Sequence, residues 1–186
     1  MRIVAGKYRG RRLRVPEGRE VRPTSERSRE ALFNILASGR LTGGIDPLPG
    51  ARVLDAFAGS GALGFEAFSR GAGRVDFIET LPAALASLRQ NLQGLEPAAA
   101  LRILQADALR PPRAEEPVDL LLMDPPYGRG LAVPALSALL AAGWIGPGTL
   151  AIVEARRQEL QPAPEGFKLL ESRAYGRAEI SFLELA

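Results

Sequence analysis

The chain has 186 residues, a formal net charge of +3 and 46% apolar residues, which suits a single globular domain with a substantial core and excludes a disordered chain. Cysteine and histidine are both absent, so disulfides, thiol nucleophiles, imidazole bases and nearly every zinc arrangement are excluded, and no metal site is expected. No apolar run approaches the roughly 18 to 20 residues of a membrane span, and MRIVAGKYRGRRLRV lacks the apolar segment of a secretory signal, so the expected location is cytoplasmic.

Charge is unevenly distributed. Residues 1–40 hold eleven Lys/Arg and four Asp/Glu, whereas the remainder holds thirteen and seventeen. A positive terminal segment suits a polyanionic partner. Met1 to Val15 alternates loosely, with Ile3, Tyr8, Leu13 and Val15 among arginines and glycines, and reads as an irregular or hairpin-like basic arm. Its Lys7, Tyr8, Arg9, Arg11, Arg12 and Arg14 are candidate RNA-binding residues, with affinity from phosphate contacts and steep salt dependence. A solvated charged face is the plainer alternative.

RPTSERSREALFNILAS then begins a helix, with Thr24 or Ser25 as N-cap and Gly39 as its end. Ala31, Leu32, Ile35 and Leu36 give it an apolar face. A loop rich in Gly and Pro, LTGGIDPLPGA, separates this segment (1–45) from the main part (46–186) of the same domain. Thereafter strands and helices alternate. RVLDAF, RVDFIET, LRILQAD, PVDLLLMD and TLAIVEAR read as strands; GALGFEAFSRG, LPAALASLRQNLQ and VPALSALLAAG read as helices. This pattern predicts an α/β fold, a parallel sheet with helices on both faces. KLLESRAY and RAEISFLEL have only the turn at Tyr175-Gly176-Arg177 between them, and predict an antiparallel hairpin at one end of the sheet.

Between the first strand and its helix lies Asp55-Ala56-Phe57-Ala58-Gly59-Ser60-Gly61-Ala62-Leu63-Gly64, which satisfies G-x-G-x-x-G at Gly59, Gly61 and Gly64. Glu79 follows near the end of the next strand, where an acid can accept from ribose hydroxyls. A pyrophosphate at a helix N-terminus is favoured by the helix dipole but repelled by a nearby anion. Asp55, in D-x-F-x-G-x-G with Phe57, instead suits a cation. S-adenosylmethionine carries an ammonium and a sulfonium and no phosphate, so it fits better than NAD. Asp107, after the third strand, could accept from an adenine amine while the Ala108 N–H reads the ring edge. An ordinary turn aspartate is the competing reading.

Asp124-Pro125-Pro126-Tyr127 ends the fourth strand at the same carboxyl edge. Its parts match methyl transfer to an amine on a planar ring, whose nitrogen is a weak nucleophile because its lone pair is delocalised. Asp124 and the Pro125 carbonyl can accept both N–H bonds and aim the lone pair at the methyl group. As positive charge grows on nitrogen, acceptors held rigid by Pro125 and Pro126 stabilise it without reorganising. Tyr127 can stack on the ring. The turn alone leaves open guanine N2, adenine N6, cytosine N4 or a glutamine amide.

Asp55 to Gly61 followed by Asp124-Pro125-Pro126-Tyr127 resembles the class I S-adenosylmethionine-dependent methyltransferases that modify exocyclic amines. VAGKYRGRRL, RPTSERSREALFNIL and VLDAFAGSGALGFEAFSRGA narrow the likeness to the bacterial family that methylates guanine N2 in small-subunit ribosomal RNA, over nearly the whole chain. The resemblance implies a Rossmann-like, seven-stranded, mostly parallel sheet with a reversed terminal strand. It implies a monomeric RNA (guanine-N2)-methyltransferase acting on an assembled or assembling small subunit. It also implies that Arg22, Pro23 and Thr24 lie near the cofactor or target base, so Arg22 and Thr24 join the candidate RNA-binding residues. Two other classes stay open: a noncatalytic RNA-binding assembly factor, and a nicotinamide-dependent oxidoreductase that would leave the Asp124 turn unexplained.

Overall fold

The computed structural model describes residues 1–16, 26–126 and 128–186. Helix α1 spans Glu26–Ala37; the predicted caps Thr24 and Ser25 lie outside the described residues. It is followed by β1 (Arg52–Ala56), α2 (Ala62–Ser69), β2 (Arg74–Glu79), α3 (Pro82–Leu92), β3 (Leu101–Gln105) and β4 (Leu120–Met123). The chain closes with α4 (Ala132–Ala141), β5 (Leu150–Arg156), β6 (Phe167–Tyr175) and β7 (Ala178–Leu185). The seven strands form one sheet in the order β3-β2-β1-β4-β5-β7-β6. Strands β1 to β5 pair in parallel, and β7 runs antiparallel between β5 and β6. Among the described residues no helix is long and apolar enough to cross a membrane.

Strands β1 and β4, which flank the strand-order reversal, are shorter than their sequence patterns. β1 stops at Ala56 because Phe57 turns into the left-handed region at φ 60°. β4 starts only at Leu120: Pro117 has no N–H to give, and the Asp119 carboxylate turns onto the Arg52 N–H at 2.7 Å.

The sheet buries apolar side chains on both faces, as a parallel sheet must. On one face α1, α2 and α3 place Phe33, Phe65 and Leu88 over Val53, Val75 and Phe77, with the Phe65 and Phe77 rings 4.8 Å apart. Gly64 permits this approach, since a Cβ there would lie 2.4 Å from the Phe77 ring. On the other face α4 and the segment containing Trp144 cover Leu54, Leu121 and Val153. The Trp144 indole N–H donates to the Pro112 carbonyl at 2.7 Å.

The basic arm is a docked hairpin. Ile3 N–H donates to the Arg11 carbonyl at 2.9 Å and Leu13 N–H to that of Met1 at 3.0 Å, and Ile3 and Leu13 join the core beside α1. Its tip presses on the end of α2, where a Cβ on Gly6 would meet the Ser69 carbonyl oxygen at 1.8 Å. The seat is a buried charge cluster. Glu66 of α2 accepts from the N–H groups of Val4 at 2.8 Å and Ala5 at 3.0 Å and from Arg70 Nε at 2.8 Å. Arg29 of α1 lies 3.6 Å from Glu66, both side chains being 0% exposed. Arg29 also donates to the Arg2 carbonyl. Burial pulls the Arg29 guanidinium below its ordinary pKa, and the Glu66 charge opposes that shift.

Candidate active site

Strand order reverses between β1 and β4, because β3 and β2 lie on one side of β1 and β4 and β5 on the other. Ligands in such sheets bind beyond the carboxyl ends of the strands at that reversal. Four adjacent strands each deliver an acid there: Asp107 just after β3, Glu79 at the end of β2, Asp55 in β1 and Asp124 just after β4.

Asp55 is 2% exposed and accepts the Gly64 N–H at 2.8 Å, which ties the first turn of α2 to the end of β1. Burial pushes its carboxyl well above the ordinary range, against the Gly64 hydrogen bond, and the charges of Asp124 and Glu79 add to the rise. Asp55 therefore feels both other carboxylates, and the carboxyl edge that the three share gathers negative charge. A diphosphate would add charge of the wrong sign.

The glycine loop turns tightly because three of its residues adopt positive φ: Phe57 at 60°, Gly59 at 57° and Gly61 at 78°. Such a conformation costs a non-glycine residue about 1–3 kcal/mol, and strain of this kind gathers at ligand sites. The half-buried Phe57 ring packs against the α4-side core. A side chain on Gly61 would run into Phe65 and Leu88 at 2.5 and 2.6 Å, whereas a Cβ on Gly59 would meet only the Phe57 carbonyl oxygen, at 3.9 Å.

Glu79 is 7% exposed, with Oε2 accepting the Gly59 N–H at 2.8 Å and Oε1 accepting those of Thr80 at 2.7 Å and Leu81 at 2.8 Å. An ionised carboxylate offers about four acceptor sites, so one remains for a ribose hydroxyl. Asp107 Oδ1 accepts the Leu109 N–H at 2.9 Å, and its other oxygen lies 3.5 Å from Arg110. This is the turn aspartate of the competing reading, and it also stands at the carboxyl edge of the sheet. Ala108 is buried, and its N–H has no acceptor among the described residues. Asp124 is half-buried, Pro125 buried and Pro126 exposed; Tyr127 lies outside the described residues. No group of three or more acidic side chains is placed to hold a metal ion among the described residues.

The arm residues divide. Lys7 Nζ and the Tyr8 hydroxyl donate to the Glu96 carbonyl at 3.2 and 2.8 Å, and the Tyr8 hydroxyl accepts the Glu96 N–H at 2.9 Å. Arg11 caps the end of α3 by donating to the carbonyls of Gly94, Asn91 and Gln93. These three side chains seat the hairpin, and its tip lies at the amino edge of the sheet, opposite Asp124. Arg9, Arg12 and Arg14 are exposed and form no ion pair among the described residues. Arg22 and Thr24 lie outside the described residues.

One connector was not foreseen. Asn91, buried in α3, accepts the Arg14 N–H at 2.7 Å and donates to the carbonyls of Arg14 and Ser60, each at 2.9 Å. It ties the arm to the glycine loop. Its sequence signal was an amide three residues after Leu88, on the face that the apolar pattern buries.

A family model described as Conserved hypothetical protein 95 matches residues 1–184. The Haemophilus influenzae protein named Ribosomal RNA small subunit methyltransferase D is 36% identical over 180 residues, covering 95% of this chain and 89% of that protein. Its Escherichia coli namesake is 35% identical over 179 residues, covering 95% and 86%. The solved structure of Escherichia coli yhhF superposes with a TM-score of 0.82 at 33% identity, covering 100% of this chain and 97% of that one. The seven-stranded, mostly parallel sheet with its reversed terminal strand is shared with that neighbour.

Proposed function

Because the chain belongs to the Conserved hypothetical protein 95 family of class I methyltransferases, we propose that it methylates the exocyclic N2 of a guanine in small-subunit ribosomal RNA. S-adenosylmethionine is the cofactor, and the residues present fit it. The observation that carries the reading is the meeting, at one strand reversal, of the Gly59–Gly64 loop, the acids Asp55 and Glu79, and the Asp124-Pro125-Pro126 turn. Asp55 lies where an ammonium would offset the burial, and with it the charges of Asp124 and Glu79, that raise its pKa. Glu79 has one acceptor site left for the ribose, and Asp107 with Ala108 borders the adenine end.

When bound, the cofactor supplies an electrophilic methyl group on sulfur. The chain holds the amine. Asp124 and the Pro125 carbonyl accept its two N–H bonds, so the nitrogen lone pair faces the methyl group. They then stabilise the positive charge that grows on nitrogen, and the proton leaves late, to Asp124 or to water. Tyr127 stacks on the base. The guanine must be unpaired or swung out to reach the turn. Arg9, Arg12, Arg14, Arg22 and Thr24 contact the RNA, with Lys7, Tyr8 and Arg11 supporting the arm that presents them. The protein works as a monomer in the cytoplasm on an assembled or assembling small subunit.

Equilibrium binding tests the cofactor half of this reading against the oxidoreductase alternative. S-adenosylhomocysteine binds and NAD does not. Tight NAD binding without S-adenosylhomocysteine binding would overturn it.

A further inference from the structure

The arm cannot be the whole RNA surface. Its tip is pinned to Ser69 and Glu96, at the amino edge of the sheet, by Lys7 and Tyr8. The reacting turn is at the carboxyl edge, and a different set of arginines stands there.

Strand β5 outruns β4. The last β4–β5 pair is Met123 with Val153, directly before Asp124, and β5 continues to Arg156. Arg156 is thus about 10 Å further along the neighbouring strand, at roughly 3.3 Å per residue, and one strand spacing of about 4.8 Å across. Arg156 pairs with Ala178 of β7, and the Arg157 N–H donates to the Arg177 carbonyl at 3.1 Å. The β6–β7 turn, built on Gly176 at φ 65°, therefore sets Arg177 beside Arg157. Arg129 follows the Asp124 turn in sequence.

All four arginines are exposed, and none forms an ion pair among the described residues. Two neighbouring acids already accept other hydrogen bonds. Glu159 accepts the Arg156 backbone N–H at 3.2 Å, and buried Glu179 accepts from the Gln158 N–H, Gln161 and Ser172. Arg173, by contrast, is paired with Glu171 at 2.6 Å and so is not part of the set.

We propose that Arg129, Arg156, Arg157 and Arg177 form a second phosphate-binding rim, which grips the RNA backbone flanking the nucleotide presented to Asp124. A guanidinium matches a phosphate with two parallel N–H bonds and keeps its charge at any working pH. The rim's position adds what the pinned tip cannot: phosphate contacts on the reacting edge, on the side of the turn away from the cofactor loop, where the base of the arm meets Ser60. This inference rests on the RNA-methyltransferase reading and deepens it.

The test is the salt dependence of binding to a labelled, unmethylated fragment of small-subunit ribosomal RNA. Arg156→Gln, Arg157→Gln and Arg177→Gln are combined and compared with the native chain. Each lost phosphate contact lowers the slope of log K against log salt by about 0.7 to 0.9, so three lower it by about 2 to 3. Thermal unfolding and S-adenosylhomocysteine affinity stay as in the native protein, which separates a lost contact from a lost fold. The corresponding triple Arg→Lys variant keeps most of the slope, because a lysine still neutralises a phosphate. An unchanged slope in the glutamine variant, or no binding of the fragment by the native chain, would overturn the rim. A native chain that binds the fragment but transfers no methyl group to small-subunit particles lacking the modification would instead count against the methyltransferase reading.

Discussion

Asp124→Asn removes a charge and leaves the shape of the turn. The account gives the carboxylate two roles that this substitution moves in opposite directions. In the reaction it faces a nitrogen becoming positive, and loss of one such fixed electrostatic partner costs about 10²–10³-fold in kcat, or about 2.7–4 kcal/mol. In the free protein it is one of two charges that, after burial, raise the Asp55 carboxyl. A carboxyl whose pKa is raised on folding gives stability that is complete below its unfolded value, about 3.9. That stability is lost as pH rises towards the folded value, because the unfolded chain releases its proton first. The native protein therefore weakens from about pH 4 upward, and Asp124→Asn weakens less. At pH 7 the variant is therefore the more stable of the two. Methyl transfer to saturating RNA reads the first effect, and urea unfolding between pH 4 and 8 reads the second. Calorimetry with S-adenosylhomocysteine shows cofactor affinity close to native. The reasoning fails if transfer survives within threefold, or if cofactor affinity falls in step with transfer, which would make Asp124 a pocket wall.

Glu79→Ala strands the N–H groups of Gly59, Thr80 and Leu81 and removes the ribose acceptor; calorimetry with S-adenosylhomocysteine detects at least a tenfold loss, about 1.4 kcal/mol. Glu66→Ala leaves Arg29 a buried, unpaired cation and orphans the N–H groups of Val4 and Ala5. Losing one partner of such a pair costs about 3–5 kcal/mol, which calorimetric melting registers as a fall of about 6–20 °C at this chain length. Gly64→Ala drives a methyl group to 2.4 Å from the Phe77 ring and costs about 1–3 kcal/mol, read as a lower urea midpoint.

Local patterns carried much of the architecture. Alternation of apolar runs with turn residues was enough for β1 to β5 and their helices, because each element's buried face is written within its own ten or so residues. The lone turn at Tyr175-Gly176-Arg177 gave the hairpin, but not that β7, the later strand, lies inside β6. The cofactor loop was legible because steric demand singles out glycine: Gly61 and Gly64 have no room for a Cβ. Contacts between distant segments were not legible. Nothing within the GALGFEAFSRG helix marks Glu66 for burial; its partners Val4, Ala5 and Arg29 come from distant segments. The arm reads as an irregular or hairpin-like basic segment offered to RNA, yet Lys7, Tyr8 and Arg11 are spent on the segment after α3. The reacting edge's arginines were hidden by averaging, since residues 41–186 are net negative while the sheet gathers Arg156, Arg157 and Arg177 into one place.

The identity of the methylated nucleoside tests the central claim most directly. Small-subunit particles from cells lacking this protein are incubated with the purified chain and S-adenosylmethionine, and their RNA is digested to nucleosides for mass analysis. The account predicts one new N2-methylguanosine, absent when Asp124→Asn replaces the native chain. N6-methyladenosine, or no new methylated nucleoside from the native chain, would contradict it.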